Sequence, residues 1–147
     1  MATPTDAELI LKLYELRTEP TMREARKFVA TFNPSGPDEI VAMQKDFGGQ
    51  NNSYWRQVLS YWEMAASLVL RGALDSDLFL DCNGEPFFLY AKYTPYHEVY
   101  AQVTGVPFMR HTAKLIETYP AMQDRYTMML ARMNAMKKQA APETKNA

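Results

Sequence analysis

Apolar residues recur along this chain at alternating intervals of three and four, and no segment alternates with a period of two. That periodicity predicts helices and no strands. Thr5-Asp-Ala-Glu8 reads as a capping box, in which the Thr5 hydroxyl accepts from a first-turn amide and Glu8 reaches back. The helix that follows carries Leu9, Ile10, Leu13 and Leu16, flanked by Tyr14, and Pro20 should stop it. Thr21 opens a second helix, with Met22, Ala25, Phe28, Val29 and Phe32 on one face and Arg23, Glu24, Arg26 and Lys27 on the other. Asn33 to Pro37 is a turn by composition, Asp38 to Phe47 a short third helix, and Gly48 to Ser53 a flexible connection.

The strongest pattern lies between Trp55 and Arg71. Trp55, Leu59, Trp62, Ala66 and Val69 keep the helical spacing, while Arg56, Ser60, Glu63, Ser67 and Arg71 fall in one stripe roughly 80° wide. A helix apolar around most of its circumference belongs at the centre of a bundle. Gly72 is suited to a left-handed C-terminal cap, and Asp75 to the N-cap of a short helix reaching about Cys82. Phe87 to Tyr93 follows Gly84-Glu-Pro86, Thr94 caps a helix bearing Tyr96, Tyr100 and Val103, and Gly105 closes it. From Phe108 through Thr112, Leu115, Tyr119, Met122, Tyr126, Met129 and Met133 to Met136 the spacing is that of one heptad seam, interrupted in hydrogen bonding but not in phase by Pro120. The expected fold is all-α: a compact multi-helix bundle around a largely buried central helix at about 55–71. One domain spans 1–138, and a small, polar, disordered tail spans 139–147.

Composition narrows the class without naming an activity. The 147 residues suit a single domain; 47% are hydrophobic and 22% charged, as in ordinary globular proteins. A net charge of -1 offers no general attraction to nucleic acid or anionic lipid. MATPTDAELI shows no basic segment followed by an apolar run, and the run from Met64 to Leu70 is far shorter than a bilayer span. With a single cysteine and no internal disulfide, the expectation is a cytoplasmic protein that neither inserts into membranes nor binds nucleic acid.

Candidate chemistry is sparse. Glu63, on the central helix, would be a general acid or base if its stripe faced a closed interior; pairing with an arginine or facing water is the commoner arrangement. Asp75, Asp77, Asp81 and Glu85 lack the spacing of a calcium loop and are better explained as helix caps. His97-Glu98 has no second histidine at the spacing of a zinc site, so His97 and His111 are expected on helix surfaces, and Cys82 as a buried, inert thiol. No catalytic residue, metal site or cofactor is predicted. Residues 63–98 carry about six acidic side chains against two basic, and 109–138 about six basic against two acidic, a charge division that suits solvated faces.

Two segments, Thr21-Met-Arg-Glu-Ala-Arg-Lys-Phe-Val29 and Ser60 to Asp75 with Leu78-Phe79 after it, resemble an uncharacterised family of bacterial all-helical domains of unknown function. In that family a short helix rich in Arg, Glu and Ala precedes a long helix that ends in a glycine, a hydrophobic pair and an acidic cap. The resemblance covers about the first two-thirds of the chain. It implies a helical domain, some relatives of which carry an N-terminal membrane segment, and it brings no catalytic residues.

Two readings follow. In the first, this is a non-enzymatic helical interaction domain that forms a homodimer or binds a partner helix through Met122, Tyr126, Met129, Met133 and Met136, since Met offers a soft, adaptable surface. In the alternative, the bundle holds a small molecule in an aromatic-lined pocket at Trp62, Glu63, Tyr90 and Tyr96.

Overall fold

The computed structural model describes residues 1–140, and among them there are helices and turns but no strand. The order is α1 (Pro4–Arg17), α2 (Pro20–Thr31), α3 (Pro37–Lys45), α4 (Gln50–Leu70), α5 (Ser76–Cys82), α6 (Glu85–Lys92), α7 (His97–Thr104), α8 (Arg110–Thr118) and α9 (Pro120–Ala140), with a 3₁₀ turn at Thr94–Tyr96 before α7. No helix among the described residues is long and apolar enough to cross a membrane.

α4 is the axis, as the pattern from Trp55 onward predicts. It packs against α2, α3 and α8, and its buried residues run from Asn52 to Val69. Trp55, Val58, Trp62, Ala65 and Ala66 are at most 1% exposed. Full burial of one large apolar side chain contributes about 1.5–3 kcal/mol relative to exposure, so this row anchors the core. Ala25 of α2 and Ala65 and Ala66 of α4 are fully buried, and such small side chains let packed helices approach closely. α4 ends as expected. Gly72 has φ 75°, its amide donates to Val69 O at 3.0 Å, and the Ala73 amide donates to Leu68 O at 2.9 Å, a complete Schellman arrangement.

Several boundaries move, each for a local reason. The capping box is Thr3–Asp6 rather than Thr5–Glu8: Pro4, which has no N–H to satisfy, takes the first helical position and starts α1 earlier. Asp6 is thereby drawn into the fold and its Oδ1 accepts from the Asp75 amide at 2.9 Å, tying α1 to the start of α5. Glu19, not Thr21, caps α2. The expected flexible connection before α4 is largely helix. Gly49 is the N-cap, and Asn52, 1% exposed, is held by its donation to Met43 O at 2.9 Å. Thr94 caps nothing, because its hydroxyl turns back to Tyr90 O at 3.0 Å and α7 begins only at His97.

The long C-terminal seam bends. Tyr119 is extended (φ −111°, ψ 114°), as a residue before proline prefers. The first half therefore lies on α8 and buries Thr112 and Leu115, whereas the second half lies on α9, which packs on α6 and α8. Met122 is 1% exposed, Tyr126 and Met129 pack against the core from its edge, Met133 is half-buried, and Met136 is 67% exposed. α9 runs to Ala140, and the remainder of the expected tail lies outside the described residues.

Candidate functional site

The main concavity opens along the polar stripe of α4. Its volume is about 740 Å³, within the range of small-molecule sites. Ser53, Arg56, Gln57, Ser60 and Glu63 form one wall; Tyr100 of α7, the Val106–Pro107 turn and Met109 to His111 form the other, and Gln44 stands at one end. Trp55 and Leu59 also line it.

What brings the second wall to α4 is a cap supplied from a distance. The residue before α8 is Met109, whose thioether is at best a weak acceptor and makes no cap bond, so the first-turn amides have no local partner. Glu63 takes that role from α4. Its Oε2 accepts from the His111 amide at 2.8 Å and its Oε1 from the Thr112 amide at 3.1 Å, the second and third helical positions that a local cap would serve. The Thr112 hydroxyl, fully buried, adds a bond at 3.1 Å, and His111 Nδ1 lies 2.8 Å from Oε2. Met109 itself adopts left-handed geometry (φ 44°, ψ 55°), which costs a non-glycine residue about 1–2 kcal/mol. Burial of Phe108 and Met109, each 3% exposed, offsets that cost and fixes the turn.

On the α4 side Arg56 is positioned by a buried residue. Asn52, anchored on Met43 O, presents Oδ1 to Arg56 Nε at 2.8 Å. Among the described residues neither Arg56 nor Arg110 forms an ion pair with a carboxylate. Two further donors, Trp55 Nε1 and Gln44 Nε2, are buried without a hydrogen-bond partner among the described residues, and both residues line the cleft. Burial raises the pKa of the half-buried Tyr100 phenol, with the Glu63 charge adding to the effect.

The four residues of the expected aromatic pocket do not converge. Glu63 lines the cleft; Trp62, about a quarter turn away on α4, does not, and is fully buried with its indole N–H donating to Glu85 Oε1 at 3.1 Å. Glu85 is also gripped by Arg26, which the sequence pattern places on the solvent face of α2: Arg26 Nε is 2.9 Å and Nη2 2.6 Å from Glu85 Oε2. The hydrogen bond to Glu85 raises the Arg26 pKa. Tyr90 packs against His97 at a tilt of 45° (ring centroids 4.3 Å) and meets Tyr126 edge-on at 5.2 Å. The Tyr96 hydroxyl donates to Pro34 O at 2.9 Å, and the gap among Tyr96, Trp55, Tyr93 and Phe108 has no room for a water molecule. The aromatic interior is filled by its own side chains.

Three other expectations change. Cys82 is exposed rather than buried. His97 is packed between Tyr90 and Phe108 with Nε2 2.9 Å from Tyr90 O, and burial lowers its pKa. His111 is held by Glu63 instead of lying free on a surface. Asp75 does cap α5, its Oδ1 accepting from the Leu78 amide at 2.8 Å. No group of three or more His, Cys, Asp or Glu among the described residues could hold a metal ion.

Arg56 and Glu63 were visible in sequence as neighbours on one stripe. Arg110, His111 and Tyr100 were not, because their approach depends on the Val106–Met109 turn and on a cap made 48 residues away. No curated protein and no solved structure matches the chain. The family model described as Domain of unknown function (DUF4760) matches residues 2–119, which include every residue lining the cleft, and the chain belongs to that family.

Proposed function

We propose that this domain is a binding module whose cleft between α4, α7 and α8 takes a small molecule. The observation that carries this reading is the cleft itself, about 740 Å³, with Arg56 and Arg110 on its two walls and neither paired to a carboxylate among the described residues. Two of its lining residues, Trp55 and Gln44, also carry buried donors without an acceptor among the described residues, each a cost to the fold of about 1–3 kcal/mol. Binding is favoured over catalysis because the carboxylate of Glu63 is occupied in capping α8. Native mass spectrometry of the full chain, mixed with pooled metabolites, tests the reading. A bound mass is expected on the protein as it stands and absent from Ser60→Phe, which fills the cleft from an exposed position without touching the core. Equal retention by both would refute it.

A second reading, self-association or capture of a partner helix through the C-terminal seam, retains one supporting observation. Of the seam residues Met136 is 67% exposed and Met133 half-buried, near the end of α9, whereas Met122, Tyr126 and Met129 serve the protein's own core. A dimer in the same spectra, lost in Met136→Lys, would favour this reading; a monomer at every concentration would remove it.

A further inference from the structure

We infer that the ligand of the cleft is an organic oxyanion, a carboxylate or phosphate attached to a flat apolar body. This rests on the cleft being a ligand site and adds its chemistry. Three separate features define that chemistry.

The first is charge. Arg56 and Arg110 line the cleft from opposite walls, and neither has a carboxylate partner among the described residues. Glu63, the one acidic group among the described residues that line the cleft, has both oxygens engaged by the first turn of α8. The cleft therefore presents two cations against one carboxylate that is already satisfied. The α8 N-terminus is filled by that internal carboxylate, so a ligand anion must be met by the arginines.

The second is orientation. An arginine loose in solvent is no evidence of a site, but Arg56 Nε is held at 2.8 Å by Asn52, a side chain 1% exposed and itself anchored on Met43 O. That bond consumes one donor and leaves the terminal nitrogens of the planar fork, the part that grips an oxyanion through two parallel hydrogen bonds. The third is the donor set. Trp55 Nε1 and Gln44 Nε2, on residues that line the cleft, have no acceptor among the described residues; both atoms are closed off from solvent, so ligand acceptors reach them only where the cleft wall shifts. Around these groups Leu59, Tyr100, Val106 and Met109 supply apolar surface for a ring.

The test pairs two isosteric probes, naphthoate and the neutral naphthamide, titrated into the full chain and followed by proton–nitrogen NMR. The two tryptophans provide an internal control. The indole N–H of Trp55 belongs to a residue lining the cleft, and that of Trp62 is bonded to Glu85 away from it. Substitution of each tryptophan by phenylalanine assigns the two signals. We expect naphthoate to move the Trp55 signal and leave that of Trp62 in place, binding about tenfold more tightly than naphthamide. Arg56→Gln and Arg110→Gln should each erase most of that preference. Arg110→Gln should retain the melting temperature, since its side chain is exposed and unpaired among the described residues, whereas Arg56→Gln also takes the donor from the buried Asn52 Oδ1 and should lower it slightly. Equal binding of the two probes, or a preference unchanged in both arginine variants, overturns the oxyanion while leaving the cleft a ligand site. If neither probe moves the Trp55 signal and the pooled metabolites leave no bound mass, the site itself falls, and the oxyanion with it.

Discussion

Trp62 and Glu63 are neighbours in the chain, and they lead to two polar clusters on different sides of α4. On the Trp62 side, Glu85 accepts from Arg26 and from the indole, Arg26 reaches Arg17 O at 3.2 Å, and Arg17 donates to Asn83 Oδ1 at 3.1 Å. Asn83, 3% exposed, spends its amide on Phe79 O. Each member has found a protein partner, and the network joins α1, α2, α4, α5 and α6. On the Glu63 side the carboxylate is also fully used, but Arg56 and Arg110 face a cleft and two donors nearby are unmatched. Polar groups inside a fold stabilise it only when satisfied. The closed cluster ties helices to one another; the open one leaves two arginines without carboxylate partners among the described residues.

The comparison can be broken most severely at Glu85. Glu85→Ala takes an acceptor from the partly buried Arg26 guanidinium and, with it, the partner of the fully buried Trp62 indole, and leaving such groups unsatisfied costs about 3 kcal/mol. Urea unfolding should register that loss, with binding in the cleft unchanged wherever the protein remains folded. Glu63→Ala comes next, at about 2 kcal/mol, through loss of the α8 cap and exposure of the buried Thr112 hydroxyl as an unsatisfied group. Unlike the Glu85 variant it should also weaken cleft binding, because Arg110 and His111 ride on the turn that Glu63 fixes. Amide exchange confined to the first turn of α8 would separate this effect from general destabilisation.

How far the sequence carries the argument differs between the two clusters for a physical reason. Helix positions, the axial role of α4, the Gly72 cap and the Asp75 cap follow from periodicity and from local backbone rules, so they are legible from a few adjacent residues. Glu63 as a cap is not: the residue that should cap α8 is a methionine, and the replacement lies on another helix. Arg26 and Glu85 are likewise 59 residues apart, with nothing in either segment to mark the other as its partner. The seam from Phe108 to Met136 shows the opposite error. Its spacing is regular, yet one extended residue at Tyr119 sends its halves to different neighbours.

His97 allows a gentler perturbation of the structure behind the cleft. Its ring packs on Phe108, next to the Met109 turn, and burial holds its pKa below the ordinary value. The unfolded chain then takes up a proton that the folded protein refuses. The contribution of the neutral ring to stability is full above about pH 6.5 and declines as the pH falls below it, levelling off once the folded form also protonates. The slope cannot exceed about 1.4 kcal/mol per pH unit for one group. His97→Gln, which keeps a donor for Tyr90 O, should flatten the stability curve between about pH 7 and pH 5 relative to the unmodified chain. Parallel curves would mean that His97 does not titrate in that window.

The smallest expected effect on stability is the sharpest test of the contrast. Gln44 Nε2 is a buried donor with no acceptor among the described residues, so Gln44→Met replaces an unsatisfied group by an apolar one of similar length. If the open cluster is adapted to a ligand rather than to the fold, this variant should be as stable as the unmodified protein or more so by up to about 1 kcal/mol, and should bind less tightly in the cleft. The corresponding change in the closed cluster, Asn83→Leu, removes a satisfied residue and should destabilise by about 1–2 kcal/mol. Opposite signs in stability, together with weaker cleft binding by the Gln44 variant alone, would separate a cluster that serves the fold from one that serves a ligand. Destabilisation of the Gln44 variant would instead mean that its amide already has a partner in solution, and that the cleft is as complete as the network around Glu85.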